Sequence, residues 1–347
     1  MGHHTHPGRA EGQVPPGEAS FKNRFGLLER GKAAVKALVT GGAGFIGSHL
    51  AERLVELGHR VTVLDNLSQG NKLTQATLER VELVVGDVRD QETVERCASG
   101  CDVIFHLAAL LGVDLVADNP VETMETEVLG MRHVCRAAIE GGARVVYAST
   151  SGVYGKMAVS EAVSEDVHVS PRSSYSIAKR FNEMYLAAQH QEKGLESASL
   201  RYFNAYGPRQ DSRMVTPRFF AQALAGQPLT VYGSGGQTRD FTYIDDIVKA
   251  TVLAAEKVRG CRVFNVSNSR EYSIKELAEK IAALTGSASP VALVEAPPER
   301  YDFEVERRFG CSDKLREAVG FAPDTSLDEG LARIYRGLLA GKDGGER

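Results

Sequence analysis

The chain of 347 residues carries 41 Lys and Arg against 45 Asp and Glu, which gives a formal net charge of −4 at pH 7. Such a balance provides no basic surface for nucleic acid, and no apolar run approaches the roughly 18 residues that a membrane-spanning helix requires. Hydrophobic residues make up 43% of the chain, as in ordinary globular enzymes. We therefore expect neither a nucleic-acid partner nor a membrane span.

The N-terminal segment is polar and rich in Gly, Pro and His, and it lacks the apolar stretch of a signal peptide. We expect residues 1–33 to form a disordered leader. The five cysteines are scattered without the paired spacing of a metal site, which is typical of thiols in a reducing compartment. The sequence therefore predicts a cytoplasmic protein that holds no metal ion.

From residue 36 onwards, apolar runs alternate with amphipathic runs. Apolar runs at 36–40, 60–64, 81–85, 103–107, 144–148 and 197–202 predict strands, and amphipathic runs at 45–57, 91–97, 120–140, 175–191 and 215–225 predict helices. Strands that alternate with helices predict an α/β fold with a parallel sheet covered on both faces. Beyond residue 208, turns, short strands and prolines predict a smaller mixed α/β lobe at the edge of the sheet.

Three glycines, Gly41, Gly44 and Gly47, form G-x-x-G-x-x-G between the first predicted strand and the first helix. At such a junction the backbone N–H groups and the helix dipole receive a pyrophosphate. Asp65 ends the next strand about 20 residues later, where a carboxylate accepts the ribose hydroxyls of an adenosine and repels a 2′-phosphate. The sequence therefore predicts a Rossmann-type, doubly wound sheet that binds NAD rather than NADP.

These features divide the chain into two predicted domains. We assign residues 34–208, with a return segment at about 238–264, to the NAD-binding domain. Residues 209–237 and 265–340 then form the C-terminal substrate-binding lobe. The division rests on the change from long alternating elements to short, turn-rich ones.

Tyr175 and Lys179 stand four residues apart in a predicted helix, so their side chains share one face. A lysine ammonium beside a phenol favours the phenolate and lowers the pKa of the phenol towards neutrality. Such a phenol takes a proton from a sugar hydroxyl while hydride leaves the same carbon. Thr150 lies near the same sheet edge, where it can hydrogen-bond that hydroxyl. Tyr and Lys at this spacing are usually a surface pair, but the glycine motif upstream favours the catalytic interpretation.

These motifs resemble those of the extended short-chain dehydrogenases/reductases, specifically the NAD-dependent nucleotide-sugar epimerases, dehydratases and decarboxylases. The resemblance extends from about residue 36 to about residue 338. It is carried by TGGAGFIGSHL (40–50), LDNLS (64–68), GDV (86–88), HLAA (106–109), ASTSGVYG (148–155), YSIAK (175–179), RYFNAYGPRQ (201–210) and QTRDFTYIDDI (237–247).

The resemblance implies a role for each matching residue. Tyr175 would be the general base, Lys179 its electrostatic partner and a ligand of the nicotinamide ribose, and Thr150 the hydroxyl partner. Cofactor contacts would come from Gly41, Gly44, Phe45, Ile46, Gly47, Asp65, Asn66, Asp87, Val88, Leu107, Ala108, Ala109, Tyr175, Lys179 and Tyr202. Ser151, Asn204, Arg239 and Arg300 would bind the substrate, with Arg307 and Arg308 as alternatives to Arg300 for its diphosphate.

Two positions depart from the family's patterns. Glu127 stands where members commonly carry Asn in N-V-x-G, which puts the water-bridging role of that Asn in doubt. Gly152, in TSGVYG, stands where uridine-sugar decarboxylases and several 4,6-dehydratases carry an acidic residue. A dehydratase needs an acid for the leaving hydroxyl and a base for the neighbouring C–H, and glycine supplies neither.

We therefore expect a UDP-sugar 4-epimerase that works through a transient 4-keto sugar, with UDP-glucose or galactose, UDP-glucuronate or an N-acetyl form as substrate. A UDP-glucuronate decarboxylase (UDP-xylose synthase) or a sugar-nucleotide 4,6-dehydratase is the alternative, and a non-catalytic sensor of NAD or a sugar nucleotide is a remote one. The stretches 121–140 and 175–191 are apolar on more than one face. By resemblance, they predict a homodimer built through a four-helix bundle.

Overall fold

The structure, a computed structural model, describes residues 34–110, 113–155, 161–295 and 306–343. The leader predicted for residues 1–33 lies outside these ranges. The strands are β1 Lys36–Thr40, β2 Arg60–Asp65, β3 Val81–Val85, β4 Val103–His106, β5 Arg144–Thr150, β6 Ser197–Tyr202, β7 Asn204–Tyr206, β8 Leu229–Tyr232, β9 Thr238–Arg239, β10 Phe241–Tyr243, β11 Cys261–Val266, β12 Tyr272–Ser273, β13 Val291–Val294 and β14 Arg307–Arg308.

Helices connect these strands throughout the described ranges. They are α1 Phe45–Glu56, α2 Gln75–Leu78, α3 Gln91–Ala98, α4 Val113–Asp118, α5 Pro120–Gly141, α6 Ser174–Lys193, α7 Val215–Leu224, α8 Ile244–Lys257, α9 Ile274–Thr285, α10 Asp313–Val319 and α11 Leu327–Asp343. A short 3₁₀ helix, Ser151–Tyr154, follows β5 directly.

Seven parallel strands form the main sheet, in the order β11-β6-β5-β4-β1-β2-β3. From β1 the chain proceeds outward through β2 and β3, and then returns to β4 on the other side of β1. The strand order therefore reverses between β1 and β4, where open α/β sheets bind their ligands. This topology confirms the predicted Rossmann-type, doubly wound sheet.

Helices cover both faces of the main sheet, and alternate residues of each strand point to opposite faces. Leu38 and Ile104 belong to a core cluster that includes side chains of α3, α5 and α6. Val39 and Phe105 belong to a second cluster that includes side chains of α1 and α8. Because helices cover both faces, all binding groups of the sheet are confined to its edges.

Most predicted elements agree with the structure to within two residues, and β1, β3 and β6 agree to the residue. The helix predicted to end at residue 140 runs to Gly141, because Gly142 then adopts a left-handed conformation with φ of 69°. The strand predicted to end at residue 148 continues to Thr150, which is in register with Tyr202 of β6. This extension brings Thr150 to the carboxyl edge of the sheet.

After β6 the chain builds smaller sheets beside the main one. β8 pairs with β13 in parallel, and β12, β9 and β14 form a three-stranded sheet. The predicted return segment at 238–264 contains α8 and the beginning of β11, which continues to Val266 because it pairs with β6 over its whole length. Within the described ranges, no helix is both long and apolar enough to cross a bilayer.

Candidate active site

A cleft of about 490 Å³ opens at the carboxyl edge of the main sheet, beside the reversal in strand order. Its walls contain all residues for which cofactor contacts are predicted: Gly41, Gly44, Phe45, Ile46, Gly47, Asp65, Asn66, Asp87, Val88, Leu107, Ala108, Ala109, Tyr175, Lys179 and Tyr202. These residues are far apart in the sequence but share one edge, because parallel strands all end on the same side of a sheet.

The glycine loop at the floor of the cleft leaves no room for side chains inside the turn. Gly41 has φ of 68°, and a β-carbon on it would lie 2.7 Å from the backbone nitrogen of Ala108. A β-carbon on Gly47 would lie 2.1 Å from the carbonyl oxygen of Gly41. α1 begins without a side-chain cap and without an acidic residue in its first turn. Its N–H groups and dipole therefore suit the pyrophosphate of a dinucleotide.

Asp65, at the end of β2, supports the glycine loop as well as facing the cleft. Its Oδ2 accepts a hydrogen bond from the backbone nitrogen of Ala43 at 2.9 Å, and its Oδ1 accepts one from Leu67 at 2.8 Å. A carboxylate has about four acceptor sites, so capacity remains for the ribose hydroxyls. The bond to Ala43 could not be foreseen from the sequence, because it depends on how β2 lies against β1.

Asp87, predicted to meet the adenine, is paired with an arginine that no sequence motif indicated. The Arg89 guanidinium donates to Asp87 at 3.0 and 2.7 Å and lies 3.4 Å from Glu122 of α5. Burial opposes ionisation of Asp87, but the hydrogen bonds from Arg89 outweigh it and lower the pKa of this carboxyl. Asp87 thus remains an acceptor at the adenosine end of the cleft.

Tyr175 lies in the first turn of α6 and faces the far end of the cleft, which Thr150 also lines. Thr150 accepts a hydrogen bond from the backbone nitrogen of Gly152 at 3.0 Å. The Lys179 ammonium lies 5.3 Å from the centre of the Tyr175 ring. The three residues predicted for proton transfer are therefore together.

The charge balance around Tyr175 differs from the expectation. Burial and the carboxylate of Glu127 raise the pKa of Tyr175, against the hydrogen bond from Thr150. Glu127 and Lys179 are fully buried, and Glu127 Oε1 lies 2.9 Å from Lys179 Nζ. The lysine that was expected to lower the pKa of Tyr175 is thus paired with the carboxyl group of Glu127.

The residues predicted to bind substrate are divided between the cleft and its surroundings. Ser151 and Asn204 line the cleft, at the start of the 3₁₀ helix and of β7. At Gly152, a β-carbon would lie 3.3 Å from Thr150 Oγ1 and 3.4 Å from the β-carbon of Ser176. A side chain at position 152 would therefore contact both Thr150 and Ser176.

Arg239 is not among the residues that line the cleft, and Arg300 lies outside the described residues. Arg308 does line the cleft, in register with Arg239 on the neighbouring strand. Burial and the charge of Arg239 lower the pKa of Arg308 to about 10, and its Nε has no hydrogen-bond partner among the described residues. This arrangement suits an anion. The sequence signal was weak, since three arginines compete within nine residues.

Among the described residues, no group of three His, Cys, Asp or Glu side chains is arranged to hold a metal ion. The chemical groups of the cleft are instead a backbone anion site at the glycine loop, carboxylates at the adenosine end, and a phenol with a hydroxyl at the other end. Such a cleft suits a dinucleotide whose reactive ring lies beside Tyr175.

Comparison with known proteins supports this interpretation. The profile of the NAD dependent epimerase/dehydratase family matches residues 37–267. A UDP-N-acetyl-alpha-D-glucosaminuronate decarboxylase from Bacillus cytotoxicus is 39% identical over 308 residues, which are 85% of this chain and 95% of that protein.

Solved structures of enzymes that act on nucleotide sugars have the same fold as this chain. UDP-glucose 4-epimerase from Thermotoga maritima, crystallised with UDP-glucose, is 33% identical and covers 88% of this chain and 99% of its own, with a TM-score of 0.81. The dTDP-glucose 4,6-dehydratase DesIV from Streptomyces venezuelae, with NAD bound, is 29% identical and covers 89% and 98%, also with a TM-score of 0.81. Because the family match spans residues 37–267, which include the strands of the main sheet and every residue that lines the cleft except Arg308, the chain belongs to the NAD-dependent epimerase/dehydratase family, and its cofactor is NAD.

Proposed function

We propose that this enzyme is a 4-epimerase of a UDP-sugar. The observation that carries the proposal is that Tyr175 and Thr150 line the cleft together, while Gly152, which donates to Thr150, offers no side-chain acid or base. Epimerisation at C4 needs one group that removes and returns a proton on the C4 hydroxyl. It needs no acid–base pair at the neighbouring carbons.

NAD held by the residues of the cleft would supply the hydride chemistry that inversion at C4 requires. The chain supplies the proton transfer: Thr150 orients the C4 hydroxyl by a hydrogen bond, and Tyr175 takes its proton. Lys179 lies beneath the phenol. Arg308 is placed to bind the diphosphate of the substrate, which would leave the sugar free to turn about that anchor.

UDP-uronate decarboxylation is the second candidate. It is favoured by the 39% identity to a UDP-N-acetyl-glucosaminuronate decarboxylase over 95% of that protein. A 4-keto uronic acid loses carbon dioxide readily once the ketone has formed, so Tyr175 and Thr150 would suffice for this reaction too. A 4,6-dehydratase is less well supported, because Gly152 provides neither the acid nor the base that elimination of a hydroxyl requires.

Product analysis separates these reactions. Purified enzyme is incubated with UDP-glucose, UDP-glucuronate and UDP-N-acetylglucosamine in turn, and the products are identified by NMR. We expect inversion at C4 without loss of carbon. Carbon dioxide and UDP-xylose from UDP-glucuronate would overturn the epimerase proposal in favour of the decarboxylase. If none of the three nucleotide sugars is converted, and Tyr175→Phe binds NAD and nucleotide sugar as the wild type does, a non-catalytic sensor would be favoured.

We also propose a homodimer. Four large apolar side chains on α5 and α6 are exposed: Val121, Ile177, Phe181 and Met184, the last by 58%. α5 and α6 pack against each other, so a second copy of the pair would complete a four-helix bundle and cover these side chains. Light scattering at micromolar concentration should give twice the monomer mass for the wild type and the monomer mass for Met184→Glu. A wild-type monomer would refute the proposal.

A cytoplasmic location is the remaining proposal. All five cysteines are free thiols, and Cys97, Cys101 and Cys135 are buried. Free thiols are typical of proteins in a reducing compartment, where disulfides do not persist. Fractionation of the source cells, followed by immunodetection, tests the location, and recovery from an extracytoplasmic fraction would contradict it.

A further inference from the structure

Glu127 is the feature that the proposed reaction leaves unexplained. It lies in α5, and its side chain is buried against α6, where its Oε1 is 2.9 Å from Lys179 Nζ. Neither side chain has any exposed surface. Burying a charged pair is unfavourable unless further hydrogen bonds compensate for the lost water. The pair should therefore have a network around it.

Such a network is present. Glu127 Oε2 accepts hydrogen bonds from Tyr147 Oη at 2.9 Å and from Asn182 Nδ2 at 3.2 Å. Asn182 Nδ2 also donates to Tyr147 Oη, at 2.9 Å. Burial raises the pKa of Glu127, but the Lys179 ammonium and these two donors oppose the rise. Two hydrogen-bond donors and the Lys179 ammonium therefore surround the carboxyl group of Glu127, an arrangement that suits the carboxylate form.

The other titratable groups around Lys179 do not carry a negative charge at neutral pH. His106 of β4 is stacked on the Tyr147 ring, and burial together with Lys179 lowers the pKa of His106 to about 3, so it is neutral. Burial and Glu127 raise the pKa of Tyr147 of β5, so it remains a phenol. Within the described residues, the acidic group that faces Lys179 is therefore Glu127.

We propose that Glu127 is a positioning residue that acts through Lys179: it anchors the ammonium beneath Tyr175 and cancels its charge, so that Tyr175 remains a phenol at neutral pH and the reaction is fastest in alkaline solution. The proposal rests on the proposed role of Tyr175 as the base, but not on which product is formed. It differs from a purely structural role because removing the charge should change the pH dependence and not only the stability.

The test is the pH profile of kcat/KM for Glu127→Gln, measured on the NAD-loaded enzyme with whichever nucleotide sugar the wild type converts. Glutamine keeps an acceptor for Lys179 but removes the negative charge. A neighbouring charge at this range changes a pKa by about 1–3. The acid limb of the profile, along which kcat/KM rises as Tyr175 loses its proton, should therefore move to lower pH by about one unit or more. At a fixed pH on that limb, kcat/KM should rise about tenfold for each pH unit by which the limb moves.

Glu125→Gln is the matched control. Glu125 lies on the same helix and loses the same charge, but its side chain is 53% exposed, so solvent screens it. Its acid limb should stay at the wild-type pH. An acid limb of Glu127→Gln that also stays in place, in a protein that folds normally, would overturn the proposal, whatever the product is.

A second readout needs no Glu127 variant. The chain contains 11 tyrosines and no tryptophan, so the near-ultraviolet absorbance of tyrosinate is not obscured by indole. The difference between wild type and Tyr175→Phe during a pH titration reports ionisation of Tyr175. We expect no tyrosinate difference below about pH 8. A difference with its midpoint at neutral pH or below would overturn the proposal even if Glu127→Gln did not fold.

Discussion

Alanine substitutions at Gly44 and Gly47 test whether each glycine is needed for cofactor binding or for the packing of the fold. A β-carbon on Gly44 would meet only the carbonyl oxygen of Gly41, at 3.2 Å, whereas one on Gly47 would lie 2.1 Å from that oxygen and 2.7 Å from Cα of Gly42. Gly44 has φ of −78°, which alanine adopts without strain. The same change is therefore tolerated by the backbone at one position and not at the other.

The two substitutions should affect different properties: Gly47→Ala the stability of the fold, and Gly44→Ala the affinity for NAD. For Gly47→Ala, two backbone segments must separate, and we expect the free energy of unfolding to fall by about 3 kcal/mol. For Gly44→Ala, it should stay within about 1 kcal/mol of wild type. The new methyl group of Gly44→Ala stands at the N-terminus of α1, where the pyrophosphate approaches. Loss of one hydrogen bond to a charged group costs about 1.5–3 kcal/mol, or roughly a 10–100-fold weaker Kd.

Both variants are measured by denaturant unfolding and by calorimetric titration of NAD into nucleotide-free protein. Gly44→Ala should unfold like wild type and bind NAD about 10–100-fold more weakly. Gly47→Ala should be clearly destabilised before any ligand is added. Wild-type NAD affinity in Gly44→Ala, or wild-type stability in Gly47→Ala, would refute these roles of the two glycines.

Three further predictions concern the cleft. NAD should copurify with the enzyme, because its contacts are spread over the whole cleft, and nucleotide released on denaturation checks this. Asp65→Ala should weaken the binding of NAD about tenfold while leaving turnover at saturating NAD largely intact, which a titration of NAD checks. Tyr175→Phe should retain NAD but lose about 10²–10⁴-fold in kcat, and unchanged turnover would exclude Tyr175 as the base. Arg308→Gln should raise the KM of the nucleotide sugar about tenfold, whereas the control Arg307→Gln, whose arginine pairs with Glu271, should not; equal KM changes would contradict the assignment of the anion site.

The order of elements and the cofactor could be predicted from the sequence, because both depend on local patterns. The apolar runs of the sequence place β1, β3 and β6 to the residue. The glycine motif and Asp65 identify a dinucleotide site, since the required spacing lies within one strand–helix–strand unit. These patterns need no knowledge of distant contacts. The preference for an epimerase over a decarboxylase stays a prediction, because that choice depends on the few side chains around the sugar.

The sequence by itself thus determined the Rossmann-type sheet and the NAD cofactor, and it singled out Tyr175 and Thr150, which line one cleft. Only the tertiary structure decided which side chain faces Lys179 beneath Tyr175, because α5 must pack on α6 before Glu127 meets Lys179. Likewise, it brought Arg308 rather than Arg239 into the wall of the cleft, through the pairing of β14 with β9. Both results depend on contacts between residues far apart in the chain, and in a buried site such contacts set the electrostatic field in which the reaction takes place.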